Sequence, residues 1–99
     1  MTSRRKIYEM ALEKWGRNAQ LLMLAEEMGE LLQAVSKSER SWSCETRNKL
    51  IEEIADTELM LDQLKYMHTI ADTDIAIWKR KKLNRLEKIL TTAKAGNTK

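Results

Sequence analysis

No proline occurs anywhere in the 99 residues, and glycine occurs only three times. Proline breaks the helical hydrogen-bond ladder and glycine loosens it, so a chain nearly free of both has no local obstacle to long helices. Leu, Ala, Met, Glu, Lys and Arg dominate the rest, and all are good helix formers. The fold class expected is therefore all-α. A chain this short buries only a thin core unless disulfides, metal or self-association help it. Cys44 is the sole cysteine, which rules out an intramolecular disulfide and a thiolate zinc site and fits a reducing cytoplasm. Residues 1–6 are polar and basic, and apolar runs such as 21–25 are too short for a signal core or a membrane span.

Apolar recurrence at three- and four-residue spacing predicts four helical stretches. The first runs from about Ser3 to Trp15 and stops near Gly16. The second, with Asn18 as its candidate cap, runs to about Lys37 and carries Leu21, Leu24, Met28, Leu31 and Val35 on one face. Residues 36–46 form a polar connection. The third runs from about Cys44 to His68 with Leu50, Ile54, Leu61 and Leu64 as its stripe, and residues 69–74 break it. The fourth reaches about Ala93, with Ile75, Trp78, Leu83, Leu86 and Leu90 expected inward and its basic side chains outward. These fit a single domain over residues 1–94, four-helix-bundle-like, with a frayed tail over 95–99. Amphipathic helices with apolar surface to spare also predict a homodimer or homotetramer.

Charge is segregated along the chain. Residues 75–99 hold eight Lys or Arg against one Glu, leaving residues 1–74 at a net −4 within an overall +3. A basic end suits a phosphate or nucleic-acid partner, although a solvated helix face is the commoner meaning of such a run.

A short echo links the two middle helices: residues 24–30, LAEEMGE, match residues 50–56, LIEEIAD, in character at every position. At about 100° per residue, Glu27 and Glu30 leave one helix beside its apolar stripe, and Glu53 and Asp56 do the same on the next. Glu26 and Glu52 point further toward solvent. Antiparallel packing of the two helices would make the four carboxylates face one another, and four such groups repel unless a cation joins them. Oxygen-only ligation suits Mg²⁺, with Mn²⁺ as a second choice. A carboxylate di-iron site lacks its ligands, because His68 is the only histidine. The commoner fate of Glu-rich helices is a set of solvated ion pairs, but residues 23–34 contain no Lys or Arg to make them.

Glu26-Glu27-x-x-Glu30 followed by Glu53-x-x-Asp56 resembles the EExxE…ExxD signature of the MazG-like all-α nucleotide pyrophosphohydrolases, over roughly residues 12–90. The resemblance implies Mg²⁺ held by Glu27, Glu30, Glu53 and Asp56, and hydrolysis of a nucleoside triphosphate to monophosphate and pyrophosphate. Glu27 or Glu26 is the candidate catalytic carboxylate that orients water. Lys82-Leu83-Asn84-Arg85 is similar to the family's Lys-x-x-Arg segment, which makes Lys82 and Arg85 phosphate-binding candidates. Arg80 stands where relatives often carry an amide. Lys49, one turn before Glu53, is a further phosphate candidate, and Trp15 resembles a family aromatic near the nucleobase. Trp42 in the connection is a candidate lid, whereas Trp78, Met23, Met28, Met60 and Met67 read as core filling. His68 reads as a cap or surface residue, and Cys44 has no base to activate it. Two alternatives stay open: a phosphoribosyl-ATP pyrophosphohydrolase, and a non-catalytic helical module whose basic last helix binds a partner.

Overall fold

The computed structural model describes residues 2–97, with side-chain surroundings given through Thr92. Three helices follow one another: α1 Arg4–Arg40, α2 Cys44–His68 and α3 Asp72–Asn97. The described chain is thus all-α, and none of its helices is long and apolar enough to cross a membrane. It divides between Thr69 and Ile70 into two units, the first holding α1 and α2 and the second α3.

α1 starts at Ser3, whose hydroxyl accepts from the Lys6 amide at 3.1 Å, satisfying one orphan donor of the first turn. Its helical conformation fails at one residue, Gly16, with φ 81° and ψ 165°. That region is open only to glycine. The break expected near Gly16 is therefore real, but Asn18, the anticipated cap, already has helical backbone.

The contacts on either side of Gly16 reveal what the break does. Arg17 donates to His68 Nε2 at 3.2 Å, at the end of α2. Tyr8 donates to Asp62 Oδ2 at 3.2 Å, and Arg4 lies 3.5 Å from the same oxygen. In a straight helix Tyr8 would lie about 14 Å beyond Arg17, past the end of α2. Its partner is instead six residues back along α2, so the segment before Gly16 turns back beside that helix. Tyr8 is buried there.

α2 begins with a capping box in which Ser43 and Thr46 bond reciprocally, Thr46 Oγ1 accepting from the Ser43 amide at 2.9 Å. It ends at Thr69 in the left-handed conformation, whose amide donates to the carbonyls of Lys65 and Tyr66. With only residues 41–43 between them, α1 and α2 form an antiparallel hairpin. Thr57 Oγ1 donates to the Glu27 carbonyl at 3.5 Å across it.

The hairpin seam consists of Gln20, Leu24, Glu27, Leu31, Ala34 and Ser38 against Thr46, Leu50, Glu53, Thr57, Met60, Leu64 and Met67, all buried or half-buried. Steps of four and three alternate without a fault on both helices, the spacing of a coiled-coil seam. The expected stripes are corrected here. Leu24, Leu31, Leu50 and Leu64 do face inward, but Met28, Val35, Ile54 and Leu61 are exposed, at 41–47%. The interior lies about one residue around each helix from the most apolar line. Both flanks of each helix are apolar, so hydrophobicity alone does not choose between them. The line that wins includes the small Ala34 and Ser38, which let the two backbones approach. Of the methionines, Met60 is buried and Met67 half-buried, while Met23 and Met28 are exposed.

On α3, taken by itself, Ile75 is half-buried and Trp78, Leu83, Leu86 and Leu90 are exposed, contrary to their expected inward placement. Apolar and basic side chains are interleaved along this helix, and the Lys81 ammonium lies 4.8 Å from the Trp78 ring centre. The helix continues through Asn97, into the stretch expected to fray. The remainder of that tail, residues 98–99, lies outside the described residues.

Two stability effects are expected in the first unit. Tyr8→Phe, which deletes the hydroxyl bonded to Asp62, should cost about 1 kcal/mol in urea unfolding, and Gly16→Ala about 1–3 kcal/mol from backbone strain alone, since a Cβ there meets no atom within 4 Å. The hydrogen bond from Lys65, with help from Tyr8 and Arg4, holds the Asp62 carboxyl below its ordinary 3.8. Its contribution is present above that value and is lost as pH falls through the lower folded value. An Asp62→Asn protein should therefore lose less stability than the wild type on acidification below pH 4.

Candidate metal centre

Glu53 is a seam residue of α2 and is 1% exposed, the least accessible side chain of the described chain. Its position follows from the four-and-three spacing, which turns residue 53 inward between Leu50 and Thr57. One oxygen, Oε1, meets the Lys49 ammonium at 3.0 Å. The other, Oε2, is buried without a hydrogen-bond partner, and so is Oε2 of Glu27 on the facing helix. Buried carboxylate oxygens lacking donors are costly.

Around these orphans the acids converge. Glu27, Glu30 and Glu53 each place an oxygen within 4.8 Å of the others, and Glu52, Glu53 and Asp56 form a second such group. Glu53 belongs to both. The Thr57 bond to the Glu27 carbonyl keeps the two helices in this register. All four acids named from the sequence as metal ligands thus belong to one neighbourhood, and Glu52, expected toward solvent, joins it while remaining exposed. Burial, and after it the charges of Glu30, Asp56, Glu53 and Glu26, push the Glu27 carboxyl above its ordinary 4.5.

The donor set fits a hard divalent cation. Its ligand atoms are all oxygens, its charge is strongly negative, and two of its oxygens lack any donor. Ligation would come from Glu27, Glu30, Glu53 and Asp56. Glu26 is exposed and outside both groups.

A pocket of about 220 Å³ opens beside the acids, lined by Glu30, Gln33, Ala34, Lys37, Lys49 and Glu53. Lys49, a phosphate candidate from the sequence, is engaged with Glu53 and lies 3.9 Å from Glu52. Its hydrogen bond to Glu53, followed by the charges of Glu52 and Glu53, raises the ammonium above its ordinary 10.5. Gln33 and Lys37 were not singled out from the sequence. The signal was present: they follow Glu30 by three and seven residues, which keeps them on its side of the helix.

The other candidates belong to other segments. Trp15 is 54% exposed and lines a separate apolar groove with Ile7, Met10 and Lys14 on the segment before Gly16, so it does not share the acid pocket. Lys82 and Arg85 are exposed on α3, in the second unit. Trp42 is exposed in the connection, His68 accepts from Arg17, and Cys44 is exposed at the start of α2. Compared with protein-family models, curated proteins and solved structures, the chain matches none.

Glu27 generates a prediction whose sign follows from its raised value. Folding favours its protonated form, so its contribution is fully present below pH 4.5 and is lost as pH rises through the folded value. At pH 7 in EDTA, Glu27→Gln should melt higher than the wild type. Millimolar Mg²⁺ should raise the wild-type melting temperature by roughly 7 °C, as expected at about ten times the dissociation constant, and should leave Glu27→Gln nearly unmoved. Equal responses of the two proteins in differential scanning calorimetry would exclude Glu27 from the centre.

Proposed function

We propose that this chain is a Mg²⁺-dependent hydrolase that splits nucleoside triphosphates into the monophosphate and pyrophosphate. The observation that carries the reading is the meeting of Glu27, Glu30, Glu53 and Asp56 around a hairpin seam, with two buried carboxylate oxygens left without donors. Folding tolerates such a cluster poorly unless a cation neutralises it. The likeness of these acids to the EExxE…ExxD signature supports the same conclusion, with Mn²⁺ as an alternative ion.

When bound, the ion supplies charge neutralisation on the phosphate oxygens and a more acidic water. The chain's own groups do the rest. Glu27, or the exposed Glu26 beside it, accepts a hydrogen bond from water and takes its proton. The water oxygen bonds to the α-phosphorus, the bond from that phosphorus to the bridging oxygen breaks, and pyrophosphate leaves. Lys49, which lines the pocket beside the acids, supplies a cation for the departing charge. A homodimer or homotetramer accompanies this reading, supported by the exposed Leu22, Leu32, Ile51 and Ile54 of the hairpin.

The test is pyrophosphate release from a panel of ribo- and deoxyribonucleoside triphosphates with Mg²⁺. Monophosphate and pyrophosphate should form together, and both EDTA and Glu53→Gln should reduce the rate by at least about 100-fold, as expected when charge stabilisation at the phosphates is lost. No turnover with any triphosphate would turn attention to phosphoribosyl-ATP, and failure there too to a non-catalytic module with steeply salt-dependent binding through α3.

A further inference from the structure

The acid cluster already contains a cation of its own. Lys49 Nζ lies 3.0 Å from Glu53 Oε1 and 3.9 Å from Glu52 Oε2, so the most buried carboxylate in the first unit is neutralised from its own helix, one turn away. The lysine side chain is 56% exposed while Glu53 is 1% exposed. One partner is fixed in the seam and the other is free to move on a four-carbon stem. Directly beside this pair is the pocket shared by Glu30, Gln33, Lys37 and Lys49, and the Lys37 ammonium makes no ion pair among the described residues.

We propose that Lys49 is a resident counter-ion for the acid cluster, which an arriving divalent cation dislodges from Glu53, and that the freed ammonium moves into the pocket beside Lys37, where the two receive an anionic phosphate. The inference rests on the acid cluster being a divalent-cation site.

The reasoning is electrostatic. Glu53 Oε2 is buried and has no hydrogen-bond partner while Oε1 holds the ammonium, and a divalent ion on one oxygen of a carboxylate strongly repels a positive charge held on the other. The fixed carboxylate cannot withdraw, so the lysine does. Its retreat removes a competitor from the metal and delivers a donor to the pocket, which makes metal and phosphate each favour the other's binding. Without metal, the same contact spares the fold an uncompensated buried charge.

A substitution series separates this exchange from simple structural support. Mn²⁺ is titrated calorimetrically, without nucleotide, into the wild type, Lys49→Met and Lys49→Arg. The methionine keeps the stem and removes the competitor, so Lys49→Met should bind Mn²⁺ roughly fivefold more tightly, the scale of one partly exposed ion pair. Arginine holds a carboxylate through two parallel bonds and yields less readily, so Lys49→Arg should bind more weakly than the wild type. In EDTA, Lys49→Met should also melt below the wild type and gain more from Mn²⁺. Equal affinities across the series, or weaker binding by Lys49→Met, would overturn the exchange while leaving the metal site intact. No Mn²⁺ binding by any of the three, with Glu53→Gln behaving identically, would overturn the metal site and the exchange together.

Discussion

A carboxylate in the seam of a helical hairpin imposes conditions on everything near it. Glu53 occupies a position that in an ordinary coiled coil would hold Leu or Ile, and it is shielded almost completely from water. Such a group is tolerated only if its charge is answered locally. Lys49 answers one oxygen; the second, together with its counterpart on Glu27, is unanswered by any protein donor. The seam therefore forgoes apolar packing in the middle of its length. The compensation comes from either end, through Leu24, Met60 and Leu64 on one side and Leu31, Ala34 and Leu50 on the other. A cation held there, as proposed, would contribute to folding by answering those two oxygens.

The segment before Gly16 supports the hairpin from outside. By turning back along α2 it brings Tyr8 and Arg4 to Asp62, well away from the acids. Its own apolar face, with Ile7, Met10 and Trp15, is exposed. The first unit thus holds its registers by polar contacts at a few points, Thr57 to Glu27, Tyr8 to Asp62 and Arg17 to His68, with apolar burial concentrated on a narrow line.

The sequence announces the class of fold through its missing prolines, and it announces the break at Gly16 and the start of α2 at Cys44. It also announces the acids, because the LAEEMGE and LIEEIAD segments place them at matching heights on two helices. What it does not announce is which face of each helix turns inward. Residues such as Met28, Val35, Ile54 and Leu61 are as apolar as the seam residues one position away, and single-helix periodicity has no means of weighing one apolar flank against another. The choice is made by pairing: Ala34 and Ser38 are small only to some advantage when another helix lies against them. The ion pair of Lys49 with Glu53 and the approach of Gln33 and Lys37 to the same pocket depend on that choice, and so are visible only in three dimensions. The exposure of the α3 apolar residues escapes the sequence for a related reason, since helical spacing says which residues share a side and not whether anything covers it.

The unbroken alternation of four- and three-residue steps makes the length of the hairpin a quantised property. Adding or removing one residue in α1 between Gly16 and Glu27 would rotate everything before it by about 100° relative to the acids, disengaging Arg17 from His68. Adding seven to each helix, on the connection side of the acids, would leave every side chain on its original face. Lineages of this hairpin would therefore be expected to change length by whole heptads in matched pairs, or within residues 41–43, more readily than by single residues.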